Sequence, residues 1–235
     1  MNENNDQPKY NGTGEPEDVL RWALTNFHPD IALAASFENT VLIHMMTRIR
    51  PDIRVFSIDT GRLPEETFQC AAETERRFNI KVDWYVPDNT RLEQLVREGG
   101  VYSFRESLEA RRACCHLRKV EPLERALHGL RAWVTGLRRD EADTRRNLLP
   151  VSIDHAHGGM VKINPLVHWT EQQVRDYTCK HKLPFNRLFE RGYTSIGCAC
   201  CTRPIEAGED PRAGRWWWES PEHKECGLHV QNWQI

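Results

Sequence analysis

The sequence predicts an α/β protein whose mainly parallel sheet is covered by helices on both faces, followed by a loop-rich C-terminal segment. Three observations support this fold class. Short apolar runs alternate with segments of helical periodicity, as in successive βαβ units. The runs are continuously apolar, which is typical of strands buried on both faces. Beyond Pro184 the alternation gives way to a segment rich in Gly, Pro, Cys and Trp.

The elements follow from local patterns along the chain. Pro16 opens a helix, because proline is tolerated in the first turn, and apolar residues recur at helical spacing as far as Phe27. Thr170 and Gln173 form a capping box at the start of a later helix. We predict strands at 31–35, 54–58, 81–86 and 132–136, and helices at 16–27, 41–49, 64–78, 91–98, 120–128 and 170–179.

The chain divides into three parts on composition. Residues 1–14 carry almost nothing apolar and are predicted to be a disordered lead-in, whereas residues 15–202 form the α/β domain. Residues 203–235 are predicted to be a mobile C-terminal tail. No apolar run approaches the roughly 18 residues of a membrane span, and no signal peptide precedes the domain, so we expect a cytoplasmic protein without a membrane partner.

The charge distribution points to a small anionic ligand. The 235 residues carry 32 Lys and Arg against 34 Asp and Glu, a net charge of −2, which gives the whole molecule no footprint for nucleic acid. Residues 111–146 nevertheless contain ten Lys and Arg against five Asp and Glu. A basic stretch inside an acidic protein favours a small anion over a polyanion.

Eight cysteines in a reducing compartment indicate metal ligation, catalysis or simple burial rather than disulfides. Cys114 and Cys115 are adjacent, and Cys198 and Cys201 form a C-x-x-C pair; 82 residues lie between Cys115 and Cys198. Adjacent thiolates diverge, which suits the separate iron corners of an iron–sulfur cube. Spacing alone also leaves open a structural zinc site or four buried thiols.

Cys226 stands apart from the other cysteines near the C-terminus. Lys224, His223 and His229 surround it with donors and positive charge, which favours the nucleophilic thiolate. The alternative is an unpaired thiol on a frayed tail. Cys70 and Cys179 match no motif and are predicted to be buried and inert. Cys200 lies inside the C-x-x-C, and a pairing of Cys200 with Cys115 stays open.

Candidate anion-binding arginines lie in two places. Arg138, Arg139 and Arg145 come after the predicted 132–136 strand, at the edge where open α/β sheets bind ligands, and Arg212 and Arg215 lie three residues apart in a stretch that contains Pro and Gly. Arginine offers a planar fork that matches phosphate or sulfate oxygens, although pairing with Asp or Glu is the competing interpretation for each one. The turn after the 54–58 strand contains a glycine that permits close backbone approach to a ligand. The chain has neither a P-loop nor a G-x-G-x-x-G motif, which argues against a P-loop NTPase and a nicotinamide enzyme.

Several motifs together resemble the sulfonucleotide reductases, and most closely the assimilatory adenylyl-sulfate (APS) reductases of bacteria. The resemblance runs from about residue 31 to residue 229. Its most specific parts are the paired-cysteine motif and the terminal E-C-G-L-H. The motifs are Ser36-Phe37, Ile58-Asp59-Thr60-Gly61-Arg62-Leu63, Cys114-Cys115-His116-Leu117-Arg118-Lys119, Thr135-Gly136-Leu137-Arg138-Arg139, Cys198-x-x-Cys201-Thr202-Arg203 and Glu225-Cys226-Gly227-Leu228-His229.

The resemblance implies an adenine nucleotide α-hydrolase-like fold and a [4Fe-4S] cluster. Cys226 would be the nucleophile that attacks the sulfur of APS, and a thioredoxin or glutaredoxin-like dithiol would then release sulfite. The cluster ligands would be Cys114, Cys115, Cys198 and Cys201. Substrate would bind at Ser36, Asp59, Thr60, Gly61, Leu63, Lys119, Arg138, Arg139, Arg145, Arg212, Arg215 and His229.

The implied activity is thioredoxin-dependent reduction of APS to sulfite and AMP through an S-sulfocysteine, within sulfate assimilation and cysteine biosynthesis. Two other functions stay open at this point. One is a reductase for the 3′-phosphorylated substrate PAPS, alone or together with APS. The other is a zinc-stabilised nucleic-acid binder, suggested by the basic stretch and the consecutive tryptophans. Relatives of this family often form homo-oligomers, so that state is expected by analogy.

Overall fold

A computed structural model describes residues 8–220. Six strands form one sheet in the order β3-β2-β1-β4-β6-β5. All neighbouring strands run parallel except β5 and β6, which are antiparallel. The mainly parallel α/β architecture is therefore confirmed. The strands are β1 (Ile31–Ala34), β2 (Arg54–Ile58), β3 (Val82–Tyr85), β4 (Ala132–Val134), β5 (Val151–Asp154) and β6 (Met160–Ile163).

Seven α-helices accompany the sheet within residues 8–220. Those predicted before residue 100 and at 170–179 are confirmed to within two residues at each end. The helix predicted at 120–128 is present but belongs to a longer helical run. The helices are α1 (Pro16–Phe27), α2 (Val41–Ile49), α3 (Glu65–Phe78), α4 (Asn89–Gly99), α5 (Leu108–Cys115), α6 (Glu121–Leu127) and α7 (Glu171–Lys180).

The helices bury apolar side chains on both faces of the sheet. On one face, α1 and α2 pack Leu20, Phe27 and Met46 into the main core. On the other face, α6 packs Leu123 and Leu127 against the strand residues Ala32, Phe56 and Trp133. Burying each such side chain contributes on the order of 2 kcal/mol. The sheet is therefore fixed from both sides, which holds its strand ends in place.

The helical run from α5 to α6 is interrupted by a π-helical segment, His116–Val120. A π turn holds about one residue more than an α turn and occurs mostly at functional sites. The segment directly follows the adjacent pair Cys114-Cys115. It joins a helix that carries cysteines to a helix that is anchored on the sheet.

Strand order reverses between β1 and β4. The chain adds β2 and β3 on one side of β1, and then returns to place β4 on the other side. In open α/β sheets, ligands bind at the carboxyl ends of the strands beside such a switch point. The loops that follow β1, β2 and β4 are therefore the ones to examine for a site. No helix within the described range 8–220 has the length and hydrophobicity needed to cross a bilayer.

Candidate functional site

Four cysteines line one small cavity beside the carboxyl end of β2. Cys114 and Cys115 come from the end of α5, and Cys198 and Cys201 come from a loop of the C-terminal half. All four residues are at most 9% exposed. The structure therefore brings together the four thiols that the sequence pairs only by motif. The rest of the cavity wall consists of the cationic residues Arg62, Arg111, Arg118 and Lys119 and the aromatic residues Phe104 and Trp216.

One helix face supplies half of this wall. Residues spaced i, i+3, i+4, i+7 and i+8 lie on the same side of a helix, so two adjacent cysteines can both border one cavity. The face therefore combines two thiols with three cations. Its members are Arg111, Cys114, Cys115, Arg118 and Lys119.

A short 3₁₀ turn, Ala199–Cys201, directs the other two cysteines into the cavity. The turn is held by the backbone N–H of Ala199, which donates to the carbonyl oxygen of Arg62 at 2.8 Å. Thr60 Oγ1 lies 3.2 Å from Cys198 Sγ. The loop after β2 therefore positions the C-x-x-C turn directly.

The loop after β1 is tied to the same segment. Phe37 takes a φ of 55°, a region that favours glycine, yet it is fully buried and stacks on Trp84 with 5.9 Å between ring centroids. Glu38 Oε1 accepts a hydrogen bond from the N–H of Ile196 at 3.0 Å. These contacts fix the backbone around Ser36, which is exposed at the end of β1.

The thiols of the C-x-x-C turn share protons unequally. A hydrogen bond with Cys201, together with the charge of Lys119, holds the pKa of Cys198 well below its usual value despite burial. Its hydrogen bonds with Cys198 and Cys200 raise the pKa of Cys201. Burial raises the pKa of Cys114. The hydrogen bond with Cys201 also lowers the pKa of Cys200 to about 6. The turn therefore favours the thiolate, the form that binds metal, at Cys198 and Cys200 over Cys201.

The cations around the cavity have neutral hydrogen-bond partners at two positions. Arg118 Nη1 donates to the carbonyl oxygen of Thr60 at 2.6 Å, and Arg118 Nε is buried with no hydrogen-bond partner in the described part of the chain. Arg215 Nη1 donates to Ser195 Oγ at 2.9 Å, and its Nε is likewise buried without a partner within residues 8–220. Buried donors that lack partners indicate a missing acceptor. Such a cavity suits an anionic group.

Trp216 closes the cavity on the C-terminal side. It is 1% exposed and lies between two guanidinium groups, with Arg111 Cζ 4.6 Å and Arg215 Cζ 4.7 Å from its ring. Arg111 also forms an ion pair with Glu219 at 2.7 Å. A Cβ at Gly197 would come within 2.5 Å of Arg215 Nη2, so a side chain there would displace the Arg215 guanidinium. Of the three consecutive tryptophans, this one therefore packs against the cysteines.

The remaining predicted ligand-binding residues lie on two loops. The turn after β2 places Asp59 Oδ1 2.7 Å from the N–H of Gly61, and the glycine has a φ of 68°. Leu63 is half-buried in the same turn. This turn contacts the cysteine cavity through Thr60. The binding roles of these residues stay predictions.

The arginines after β4 are engaged by the protein itself. Arg138 pairs with Glu141 at 3.3 Å and with Glu171 at 2.6 Å. Arg139 donates twice to the carbonyl oxygen of Leu148, and Arg145 also pairs with Glu141. The sequence interpretation as anion-binding groups stays a prediction for all three.

The two cysteines that match no motif, Cys70 and Cys179, differ in their exposure to solvent. Cys70 is buried, and burial raises the pKa of its thiol to about 12. Cys179 is exposed on α7, so the prediction that it is buried is wrong. Thr170 N–H and Gln173 form the predicted capping box, but the last turn of α7 turns Cys179 toward solvent.

Sequence analysis missed Arg111 and Arg118 as residues of the site. Their spacing from Cys114 and Cys115 on a helix was the signal that could have identified them.

The backbone N–H of Arg212 donates to Asp210 Oδ1 at 2.7 Å. Cys226 and His229 lie outside the described residues. Within residues 8–220, no group of three or more His, Cys, Asp or Glu side chains is arranged to hold a metal ion.

Known proteins resemble this chain over most of its length. A family model described as the phosphoadenosine phosphosulfate reductase domain matches residues 30–204. A protein of Allochromatium vinosum named adenosine 5′-phosphosulfate reductase is 48% identical over 198 residues, which cover 84% of this chain and 77% of that protein.

Two solved structures are similar in fold. A phosphoadenylyl-sulfate (PAPS) reductase of Candida auris, in complex with phosphate, gives a TM-score of 0.68 at 27% identity and covers 81% of this chain and 90% of its own. The FMN adenylyltransferase of Candida glabrata gives a TM-score of 0.56 at 14% identity over 92% of this chain and 75% of its own. The second likeness concerns the fold alone. Together with the sheet topology, these structures confirm the expected fold class.

Proposed function

The chain belongs to the phosphoadenosine phosphosulfate reductase family, and from that premise we propose that it reduces APS to sulfite and AMP in sulfate assimilation. The observation that carries this proposal is the cavity lined by Cys114, Cys115, Cys198 and Cys201. The relative from Allochromatium vinosum, which bears the APS reductase name, supports the choice of substrate. The enzyme is accordingly an oxidoreductase that acts on sulfur, and we place it in the cytoplasm, where its thiols stay reduced.

The cofactor in this proposal is a [4Fe-4S] cluster. The donor type fits, because thiolates are the ligands of such clusters and four of them border one cavity. In residues 8–220 no three of these donors converge on a single metal ion, whereas a cluster would take one thiolate on each of its irons. The charge also fits, because a cluster with four thiolates is anionic and the buried Arg118 Nε lacks an acceptor in the described chain. When bound, the cluster would join α5 to the C-x-x-C turn and add negative charge that the surrounding cations balance.

The first chemical step is assigned to Cys226. Its thiolate attacks the sulfur of APS, a sulfur–sulfur bond forms, and the bond between sulfur and the bridging oxygen breaks. That oxygen leaves with both electrons as part of AMP. The enzyme then carries an S-sulfocysteine.

The second step requires an external dithiol, and thioredoxin or a glutaredoxin-like protein has the right chemistry. One thiolate of the dithiol attacks Cys226 Sγ, and sulfite leaves with the electron pair of the sulfur–sulfur bond. The second thiol resolves the mixed disulfide and returns Cys226 as a thiolate. The two electrons that reduce the sulfur therefore come from the dithiol, which ends as a disulfide.

Cations supply the remaining assistance. Charge develops on the phosphate as AMP leaves, and a guanidinium or ammonium group nearby stabilises that charge. Lys119 is buried at the cavity wall and Arg215 lies beside it, on the side of the β1 and β2 loops. We assign these two residues to the phosphosulfate part of the substrate, and Ser36 and the 59–63 turn to the nucleotide.

A reaction with PAPS is the second candidate, because the matching family model and the Candida auris structure both carry that substrate in their names. The ratio of kcat/KM for the two nucleotides decides between them. We expect APS to be preferred. A higher kcat/KM for PAPS would show that PAPS, not APS, is the preferred substrate, and the family assignment would still hold.

The proposal is tested by following the covalent intermediate. Anaerobically purified protein is incubated with APS and no reductant, and intact mass and peptide mapping are recorded. We expect one sulfonate on Cys226 and one equivalent of AMP released, with no adduct in Cys226→Ser. Cys179→Ser is the matched control, because that thiol is exposed and distant in sequence from every motif.

The same sample tests the cofactor. Iron and sulfide in a brown protein support the cluster. Stoichiometric zinc in a colourless protein would contradict the cluster assignment and favour the zinc-stabilised nucleic-acid binder. Sulfite production by Cys226→Ser would contradict the assigned nucleophile.

A further inference from the structure

A fifth cysteine, Cys200, packs against the buried cluster formed by Phe104, Cys114, Cys198, Cys201 and Trp216, and the proposed function does not use it. Cys200 lies between Cys198 and Cys201 in the C-x-x-C turn and is half-buried. Its Sγ lies 3.8 Å from Cys201 Sγ. Arg62 Nη1 lies 3.8 Å from the same sulfur on its other side. The thiol is therefore held between a proposed cluster ligand and a cation.

The turn that carries Cys200 is fixed by its backbone. Arg105 Nη2 donates to the carbonyl oxygen of Cys200 at 3.0 Å, and the N–H of Ala199 donates to Arg62 O at 2.8 Å. The N–H of Trp216 donates to Cys201 O at 3.1 Å. The main chain of the turn is therefore held on both sides of Cys200.

The distance between the two sulfurs has a chemical meaning. Metal–thiolate bonds of about 2.3 Å in tetrahedral geometry place two sulfurs on one metal about 3.8 Å apart. Cys200 Sγ and Cys201 Sγ already have this separation. An iron bound by Cys201 is therefore within reach of Cys200 as well.

The cavity beside this pair itself calls for an anionic occupant. Arg118 is 5% exposed, it lines the cavity, and its Nε has no partner among the described residues. This observation is independent of Cys200. It indicates that the cavity is built to hold a group with acceptor atoms rather than to bury thiols alone.

We propose that Cys200 is an alternative cluster ligand, able to replace Cys201 on its iron. In the exchange the iron–sulfur bond to Cys201 breaks and one to Cys200 forms, and the proton of the Cys200 thiol passes to the Cys201 thiolate. No electron is transferred. The inference rests on the proposed cluster and adds a residue that the C-x-x-C spacing does not include.

The test compares single and double variants after anaerobic reconstitution with ferrous iron and sulfide. We expect Cys201→Ser to retain about four irons and four sulfides per chain, as wild type does, and Cys200→Ser to do the same. The double variant Cys200→Ser/Cys201→Ser should lose the cluster. Cys114→Ser is the matched control, because Cys114 lies on α5 rather than on the turn, and it should lose the cluster as well.

Thiol mapping gives a second readout that does not depend on activity. Iodoacetamide should alkylate Cys200 in the loaded wild type and spare Cys200 in loaded Cys201→Ser, while the exposed Cys179 reacts in both. Loss of the cluster in Cys201→Ser, or full alkylation of its Cys200, would overturn the inference and leave the proposed function standing. Wild type that binds no iron would instead overturn the cofactor on which the inference rests.

Discussion

Two regions of the molecule bury charged groups, and they do so in opposite ways. One is the cysteine cavity. The other is the Asp154 cluster, formed by Trp133, Asp154, His157 and Lys162 on the β4, β5 and β6 side of the sheet. In the Asp154 cluster, Asp154 Oδ2 accepts from Trp133 Nε1 at 3.1 Å, lies 3.0 Å from His157 Nδ1 and 3.9 Å from Lys162 Nζ.

The Asp154 cluster balances its own charge. Burial by itself would raise the pKa of Asp154, but the hydrogen bond with His157 and the charge of Lys162 hold that pKa below its usual value. Lys162 Nζ also lies 4.7 Å from the ring centre of Trp133. The carboxylate is therefore satisfied by groups of the chain itself.

At the cysteine cavity, Arg111 is paired with Glu219, but two other cations, Arg118 in the wall and Arg215 against Trp216, donate to backbone and hydroxyl oxygens. Arg118 meets Thr60 O, and Arg215 meets Ser195 Oγ and Ile196 O. Both retain a buried Nε without a partner in the described chain. The comparison teaches that a buried charge matched inside the protein stabilises the fold, whereas one matched only by neutral groups marks a place for a ligand.

The largest expected effect is on the Asp154 cluster. Asp154→Asn removes the negative partner and leaves Lys162 buried, which should lower the free energy of unfolding by about 3–5 kcal/mol. Urea denaturation measures the loss. Iron content after reconstitution should equal that of wild type, and the double variant Asp154→Asn/Lys162→Met should recover part of the stability. If Asp154→Asn lowers the free energy of unfolding by less than about 1 kcal/mol, the ion pair in the Asp154 cluster does not stabilise the fold and the contrast with the cysteine cavity is wrong.

A substitution in the cysteine cavity should leave the free energy of unfolding unchanged or raise it, the opposite of the effect at Asp154. Arg118→Met removes a buried guanidinium whose hydrogen bond goes to the carbonyl oxygen of Thr60, so the metal-free protein should unfold at equal or higher urea concentration. The loaded protein should lose its cluster to a chelator about 10–100-fold more readily. Arg97→Met, at an exposed position on α4, is the control and should change neither measurement. Destabilisation of the metal-free Arg118→Met protein would contradict the comparison.

Acid should separate the two regions further. Because the pKa of Asp154 is lower in the folded than in the unfolded chain, its contribution is present above about pH 4 and is lost as pH falls through the lowered value. The difference in stability between wild type and Asp154→Asn should therefore shrink below pH 4. Urea unfolding at a series of pH values measures it. A difference that stays constant to low pH would show that Asp154 is not stabilised as a carboxylate.

The smallest effect is expected outside both regions. Cys179→Ser replaces an exposed thiol on α7 and should change the free energy of unfolding by less than about 0.5 kcal/mol, with iron content and turnover unchanged. Equilibrium unfolding and iron analysis test this. A large loss would show that this surface position contributes to one of the two regions.

Much of the sheet was predictable because its strands are continuous apolar runs. Ile31–Ala34 and Arg54–Ile58 are examples, and their apolar side chains are buried on both faces. Strands β5 and β6 were missed because Ser152, Asp154 and Lys162 interrupt their apolar character. Those polar residues belong to or adjoin the Asp154 cluster, where an internal ion pair makes burial tolerable.

The cysteine site was predictable only in part. The motif identified its four thiols, since spacing and residue type are local properties of the sequence. The cations Arg111 and Arg118 were not identified, because α5 has no apolar periodicity that would predict a helix over 108–115. The pairing of Arg138 with Glu141 and Glu171 depends on contacts between distant segments, and residue type alone does not specify them.

The π-helical segment His116–Val120 determines the angle, about the helix axis, between the residues of α5 that line the cavity and the residues of α6 that pack on the sheet. Downstream, Leu123 and Leu127 are locked onto the sheet; upstream, Cys114 and Cys115 point into the cavity. Each residue of an α-helix turns the chain by about 100°. Deleting one residue from the wide turn would therefore rotate the two cysteines away from the C-x-x-C turn while the sheet contacts stayed in place. The additional residue of the π-helical turn therefore keeps the cysteines directed at the cavity while the leucines stay packed on the sheet.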